Sequence, residues 1–240
     1  MGIDSKFFKF NVTHLESERY ISVRDVDQND TPQLSIVEIF NKMNVVKRSG
    51  DKVDGAIMHI KDNIIALKVP NEGKGHILQI FDMDKKAKLK NIEFSENIVF
   101  WKWINEQILA IVTNTSVYHV SIANETDKEV KIFDRSGDLV TAQIVGYVHS
   151  DDRKWSALFG ISTPDQEKTI NGQIQLYFIE GQKQKMIEGH ACTFGTAFIH
   201  NETHRSNIFC FVEKKAGEKT SIVHISEISV PPERCQKHKF

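Results

Sequence analysis

The stretch with the clearest chemical potential runs from His76 to Met83 and continues into the lysine-rich segment 84–90. Its first half alternates like a β-strand, in which successive side chains point to opposite faces. Ile77, Gln79 and Phe81 therefore share one face, as two apolar groups around a single amide, and lysines follow beyond the strand. Such a face could bind an extended peptide that carries bulky apolar residues and an acidic one.

The same stretch also has a simpler interpretation. Leu78 and Ile80 form the opposite face, which is apolar enough to belong to a core, and residues 84–90 then form a solvated basic turn. Taken alone, the stretch favours this ordinary strand and turn. The surrounding elements must decide whether the exposed face is part of a binding site.

The other reactive side chains form no catalytic or metal-binding pattern. We find no paired-acid motif, nucleophile elbow, Walker-type glycine loop or metal-spaced His/Cys cluster. His190 is interpreted as a turn or capping residue rather than a catalyst. Trp101 and Trp103 could stack on a ligand, but without a basic stripe they are better interpreted as packing anchors. We therefore predict no catalytic residue, no metal site and no cofactor.

The composition excludes several classes of protein. The net charge of −1 gives no general attraction to nucleic acid or to a membrane surface. The three cysteines (Cys192, Cys210 and Cys235) are too few and too irregular for a disulfide framework or a zinc site, so we expect reduced thiols. The start of the chain lacks a signal-peptide pattern, and no apolar run approaches the ~20 residues of a membrane span. A cytoplasmic protein is expected.

A repeat organises the chain. Short apolar runs begin at residues 20, 64, 108, 155 and 208, so that 44 to 53 residues separate successive starts. Each run is followed by an alternating strand, and each of the last four is also preceded by a strand. Turn-prone residues separate the strands, and helical periodicity is nearly absent.

Units of about 45 residues with three or four short strands are typical of β-propeller blades. A β-sandwich is the alternative, but it would not require this regular spacing. The tail 230–240 shows no clear strand pattern, so the sequence does not predict a closed ring. A propeller glycosidase would need two inward carboxylates, and the sequence nominates no such pair.

Several blocks resemble the amino-terminal domain of the clathrin heavy chain, in the correct order from about Phe10 to about Pro232. The blocks include 64–68 (IIALK), 78–81 (LQIF), 100–104 (FWKWI), 132–135 (IFDR) and 187–191 (IEGHA). The family's domain is a seven-bladed propeller, which agrees with the repeat. The resemblance implies that residues 1–240 form a single partial propeller of about five four-stranded blades in an incomplete ring.

The resemblance also implies a binding site for adaptor peptides. The family's best-known groove lies between the first two blades and takes an extended Leu-apolar-x-apolar-acid peptide, the clathrin box. Ile77 stands where the family usually has a threonine, so one wall should be more apolar. The corresponding residues in this chain are Ile65, Ile77, Gln79, Phe81, Lys86 and Lys88.

Two further family grooves correspond less well. The central groove for a tryptophan-containing motif corresponds to Phe10, Gln143, Val145 and Ile161, where Val145 replaces a longer aliphatic residue. In the groove between the fourth and fifth blades, Gly181 replaces an arginine and Lys185 a glutamine. We therefore do not predict a peptide-binding site at this third groove.

The function implied is that of a non-catalytic vesicle-coat component, which binds short motifs of adaptors in endocytosis and intracellular protein transport. We expect it at the cytoplasmic face of coated pits and vesicles, at the plasma membrane and trans-Golgi network, with only indirect membrane contact through adaptors. Light-chain binding and triskelion assembly are not expected, because the helical legs are absent from the sequence. The alternatives are a truncated propeller scaffold without coat function and, remotely, a propeller hydrolase.

Overall fold

The computed structural model describes residues 6, 9, 13–40, 44–50, 52–163, 170–198, 205–215, 217–228 and 237–238. Within these residues, five antiparallel sheets of four strands follow one another along the chain. Within each sheet, every strand pairs with its neighbour in sequence, as in the blades of a β-propeller. The predicted all-β propeller class is therefore confirmed. The chain divides into two compact units, 1–114 with 118–131 and 115–117 with 132–240.

The strands are numbered in chain order, four to a sheet. The first sheet contains β1 (Thr13–His14), β2 (Tyr20–Val26), β3 (Pro32–Glu38) and β4 (Asn44–Ser49). The second contains β5 (Gly55–Met58), β6 (Ile64–Pro70), β7 (His76–Asp82) and β8 (Ala87–Phe94). The third contains β9 (Ile98–Trp103), β10 (Ile108–Thr113), β11 (Ser116–Ser121) and β12 (Val130–Asp134). The fourth contains β13 (Gln143–His149), β14 (Trp155–Ser162), β15 (Asn171–Phe178) and β16 (Lys183–Glu188). The fifth contains β17 (Ala191–Phe198), β18 (Arg205–Glu213), β19 (Ile222–Ile228) and β20 (Lys237–His238).

The predicted repeat corresponds to the second and third strands of each sheet. The apolar runs are the second strands, and β10 is buried at every residue after Ile108. The alternating runs are the third strands, and β7 alternates strictly between buried and partly exposed residues. A continuous apolar run is typical of a strand covered on both faces, whereas alternation marks a strand with one open face.

The core of the first unit lies on both faces of the second sheet. On one face the cluster joins the first and second sheets through Tyr20, Leu34, Ile36, Ala56, Met58 and Ile65. On the other face the members include Leu78, Ile80, Phe94, Trp101, Trp103 and Leu109. Trp101 and Trp103 are 8% and 3% exposed, which confirms that they are packing anchors.

Two predictions about local structure are wrong. The segment 84–90 is not a basic turn throughout, because the turn covers residues 83–86 and β8 begins at Ala87. The tail also contains a strand, since Lys237 and His238 pair with Ser226 and Ile225 of β19. In both places backbone pairing with a neighbouring strand stabilises an extended conformation that the side-chain pattern does not show.

A short 3-10 helix at Gly137–Val140 precedes β13 in the second unit. Arg135 is 8% exposed and donates hydrogen bonds to the carbonyl oxygens of Leu139 and Ala142, which ties this helix to the start of β13. Among the described residues, no helix has the length and apolar character needed to cross a membrane.

Candidate functional site

The strand β7 presents the face that the sequence predicts. Leu78 and Ile80 are fully buried, whereas Ile77, Gln79 and Phe81 are partly exposed. The alternation arises because β7 is the third strand of its sheet and packs against the third sheet through its buried face only. The partly exposed residues therefore form a continuous stripe along the strand.

Pairing with the neighbouring strands extends this stripe across the sheet. On β6, Val69, Leu67 and Ile65 lie opposite Ile77, Gln79 and Phe81. On β8, the corresponding residues are Glu93, Asn91 and Lys88. Since directly paired residues share a face, these nine residues form one surface of the second sheet, apolar at β6 and polar at β8. We call this surface the β7 groove.

Ile65 occupies the deep side of the β7 groove. It is 2% exposed and packs with Tyr20, Leu34 and Ile36 of the first sheet. Phe81 lies opposite Ile65 on β7 and is partly buried against the same cluster. Ile65 therefore supports the groove from beneath, while Phe81 offers part of its ring to solvent.

Gln79, in the middle of the groove, is hydrogen-bonded within the surface. Its amide Nε2 donates to Oδ1 of Asn91 over 3.1 Å. The sequence reasoning did not include Asn91. Counting outward from the turn at 83–86 would have placed Lys90 opposite Gln79, because the register shifts by one residue at a β-bulge between Ile80 and Phe81.

The predicted lysines lie at the Phe81 end of the groove. Lys86 is exposed in the turn with a φ of 53°, and Asp82 holds that turn by accepting hydrogen bonds from the backbone N–H groups of Asp84 and Lys85. Lys88 is exposed on β8, and its Nζ lies 5.5 Å from the centre of the Phe81 ring. The ammonium group of Lys88 therefore lies beside an apolar ring, and the Lys86 side chain is exposed in the adjoining turn.

Lys90 has a different role from its neighbours. It is 4% exposed, and its Nζ donates hydrogen bonds to the carbonyl oxygens of Asn124, Glu125 and Asp127 at 2.5, 3.0 and 2.7 Å. It lies opposite Ile80, on the face away from the groove. Its charge therefore stabilises a loop of the first unit and is not presented to a ligand.

The predicted central groove is only partly described. Gln143 and Ile161 lie directly opposite each other on β13 and β14. Val145 is 45% exposed beside them, where the register shifts between Ile144 and Gly146. The structure thus brings together three of the four residues, and Phe10 lies outside the described part of the chain.

The remaining candidates have structural surroundings. His190 lies in a bend before β17, and its Nε2 is 2.9 Å from the carbonyl oxygen of Ile170. Cys192 and Cys210 are free thiols, and Cys235 lies outside the described residues. Among the side chains that the structure describes, no group of three or more His, Cys, Asp or Glu is arranged to hold a metal ion.

The third groove, where we predict no binding site, corresponds to Gly181 and Lys185. Gly181 lies in the turn between β15 and β16, and Lys185 lies in β16. A Cβ atom at Gly181 would come within 2.5 Å of the Phe178 ring, so this turn is built around a glycine. Lys185 is exposed and pairs with Leu176.

Comparison with known proteins identifies relatives over almost the entire chain. The clathrin heavy chain 1 of Arabidopsis thaliana is 36% identical over 239 residues, and the clathrin heavy chain of Drosophila melanogaster is 36% identical over 233 residues. Each alignment covers 97% of this chain. The chain is a homologue of part of the clathrin heavy chain. The resemblance inferred from the sequence blocks is thereby confirmed, although no family model matches the chain.

The homology to the clathrin heavy chain concerns a limited part of those proteins. The chain spans 14% of the length of the Arabidopsis relative and 13% of the Drosophila relative. Among solved structures, the tricorn protease matches 94% of this chain with a TM-score of 0.52 at 15% identity, over 22% of its own chain. That similarity concerns the fold alone, whereas the clathrin heavy chain homology extends to the sequence.

Proposed function

We propose that the chain acts as a clathrin-heavy-chain-type vesicle-coat component, which binds short linear motifs of adaptor and accessory proteins. It would work in endocytosis and vesicle-mediated transport, at the cytoplasmic face of coated pits and vesicles. The observation that carries the proposal is the β7 groove, where Ile77 and Phe81 are partly exposed on either side of Gln79 and next to Lys88. The relatives are structural proteins, so the proposal contains no catalytic step.

The chemistry of the β7 groove suits an extended peptide of the form Leu-apolar-x-apolar-acid. Ile77 and Phe81 are four residues apart, and a strand rises about 3.3 Å per residue, so the apolar sites are separated by about 13 Å. Five extended peptide residues cover the same length. The peptide acid would then lie near Lys86 and Lys88, and its apolar residues would pack on Ile77 and Phe81.

The expected affinity for one peptide is weak. Each apolar side chain that fills a site contributes roughly 1.5–3 kcal/mol, and an exposed ion pair with Lys88 contributes about 0.2–1 kcal/mol. Ordering a disordered peptide offsets much of this gain. We expect a dissociation constant on the order of 10–100 μM, so binding in a coat would depend on multivalency.

Fluorescence anisotropy with a labelled ten-residue peptide carrying Leu-Leu-x-Leu-acid tests this proposal. Gln79→Ala should abolish detectable binding. Lys86→Glu should weaken it, and high salt should weaken binding to the unaltered chain because the ion pair is exposed. The matched controls are Gln107→Ala, an exposed glutamine before β10, and Lys74→Glu, an exposed lysine before β7. Both controls should bind like the unaltered chain.

The result that would reject the β7 groove is unchanged binding in both test variants. A chain that unfolds cooperatively but binds no such peptide would instead favour a scaffold without coat function. A peptide with the tryptophan motif tests the second proposed site separately, and Gln143→Ala or Ile161→Ala should weaken only that peptide. If each variant loses binding to one peptide and keeps binding to the other, this would also show that the variants remain folded.

A further inference from the structure

We propose that Asn91 is a positioning residue of the β7 groove, which determines how Gln79 recognises a peptide backbone. The inference rests on the proposed function and concerns a residue that the sequence comparison with the family did not assign. It starts from the one side-chain hydrogen bond that Gln79 makes within the described residues, from its Nε2 to Oδ1 of Asn91.

This hydrogen bond limits what Gln79 can offer to a ligand. A glutamine amide has an N–H donor side and a carbonyl acceptor side, which point in different directions from the same planar group. One of the two N–H groups of Nε2 donates to Asn91, so rotation of the amide is restricted and Oε1 is left as an acceptor. No described residue donates to Oε1 of Gln79, so this acceptor remains for a peptide N–H.

The location of the pair makes this orientation relevant to binding. Gln79 and Asn91 are directly paired across β7 and β8, midway between the Ile77–Glu93 and Phe81–Lys88 pairs. Asn91 is exposed, and its partner is partly exposed, so neither residue is part of the core. A peptide whose apolar residues pack on Ile77 and Phe81 therefore places its middle residue against Gln79.

The consequence is a rule for the ligand. The middle residue of the motif must carry a backbone N–H, because an acceptor at Oε1 of Gln79 gains nothing from a tertiary amide. The groove should accept many side chains at this position but reject proline or an N-methylated residue there. Asn91 matters for this preference only through Gln79.

The experiment compares two peptides and five forms of the full chain. The first peptide carries Leu-Leu-x-Leu-acid, and the second is identical except for an N-methyl group on residue x. The chain is used unaltered and as Asn91→Ala, Gln79→Ala and the double variant, and Asn97→Ala, an exposed asparagine just after β8, is the matched control. Thermal unfolding of each variant checks that the fold is retained.

We expect Asn91→Ala to weaken the first peptide about two- to tenfold, the size of one net hydrogen bond. N-methylation should weaken binding to the unaltered chain by a similar factor but change binding to Asn91→Ala by less than about twofold. Gln79→Ala and the double variant should both show no detectable binding of the first peptide, and Asn97→Ala should behave like the unaltered chain. A loss of packing alone would not produce this coupling.

The proposal is overturned if Asn91→Ala binds the first peptide as the unaltered chain does, or if the N-methyl penalty is the same with and without Asn91. Failure of the proposed function has a different signature. In that case the unaltered chain binds neither peptide, and both proposals fall together.

Discussion

Lys88 and Lys90 lie two residues apart on β8 and provide a sharp test of how the first unit is built. Lys88 is exposed next to Phe81, whereas Lys90 is 4% exposed and donates to three backbone carbonyl oxygens of the loop 124–127. We predict that Lys90→Met destabilises the protein and leaves peptide binding almost unchanged. The matched change Lys88→Met should weaken binding and leave stability almost unchanged.

The magnitudes follow from the surroundings of the two ammonium groups. Hydrogen bonds to a charged group contribute about 1.5–3 kcal/mol each, but the loop carbonyls regain water when Lys90 is removed, and the buried charge no longer costs desolvation. We therefore expect a loss of about 2–4 kcal/mol for Lys90→Met, less than the three bonds would sum to. For Lys88→Met, an exposed ion pair with the peptide predicts a loss of affinity of about two- to fivefold.

The assay is equilibrium urea denaturation followed by tryptophan fluorescence, with peptide anisotropy measured on the same samples. Trp101 and Trp103 are buried in the unit that contains Lys90, so their emission reports its unfolding. The expected loss for Lys90→Met corresponds to a fall in the urea midpoint of about 1 M. Equal midpoints for the two variants would refute the view that Lys90 stabilises the loop, and a loss of binding in Lys90→Met at full stability would place it in the groove after all.

Three further predictions concern other parts of the chain. A Cβ atom at Gly172 would lie 2.4 Å from the carbonyl oxygen of Gly189, so Gly172→Ala should lower the free energy of unfolding by about 1–3 kcal/mol in a urea titration. The backbone N–H and the ammonium group of Lys85 hold the pKa of Asp82 below its usual value. The ionised Asp82 carboxylate therefore stabilises the folded protein at a pH above the ordinary aspartate pKa, and this stabilisation is lost as the pH falls through the lowered pKa of the folded state. The difference in urea midpoint between the unaltered chain and Asp82→Asn should therefore shrink below about pH 4, and a constant difference would contradict this. Burial raises the pKa of the Cys192 thiol, so iodoacetamide should label this thiol slowly in the native protein and rapidly in urea. Mass spectrometry measures the two labelling rates, and equal rates would disprove the protection of Cys192.

The strands that the sequence predicts well are those whose side chains carry the pattern. The run Ile108–Val112 is apolar throughout because β10 is covered on both faces, and the alternation of Ile77–Phe81 reflects one covered face. These patterns are local, so the strand class, the repeat and the exposed stripe could be inferred without coordinates. The clathrin heavy chain resemblance could be inferred partly for the same reason, since blocks such as 64–68 and 78–81 lie within such strands.

The strands at the outer positions are harder to predict. The sequence of β8 (Ala87–Phe94) is rich in lysine, and its side chains show no clean alternation of apolar and polar residues. Its extended conformation comes from backbone hydrogen bonds to β7, which any residue except proline can make. For the same reason the short strand β20 could not be found in the tail.

By itself, the sequence determined which residues of β7 share a face, because the strand period of two assigns Ile77, Gln79 and Phe81 to one face wherever the strand lies. Only the tertiary structure decided what surrounds them. It buried Ile65 beneath the groove, paired Gln79 with Asn91 and turned Lys90 toward carbonyls more than thirty residues later in the chain. The physical reason is that pairing register and packing between sheets depend on contacts between segments far apart in sequence, which a local pattern does not record.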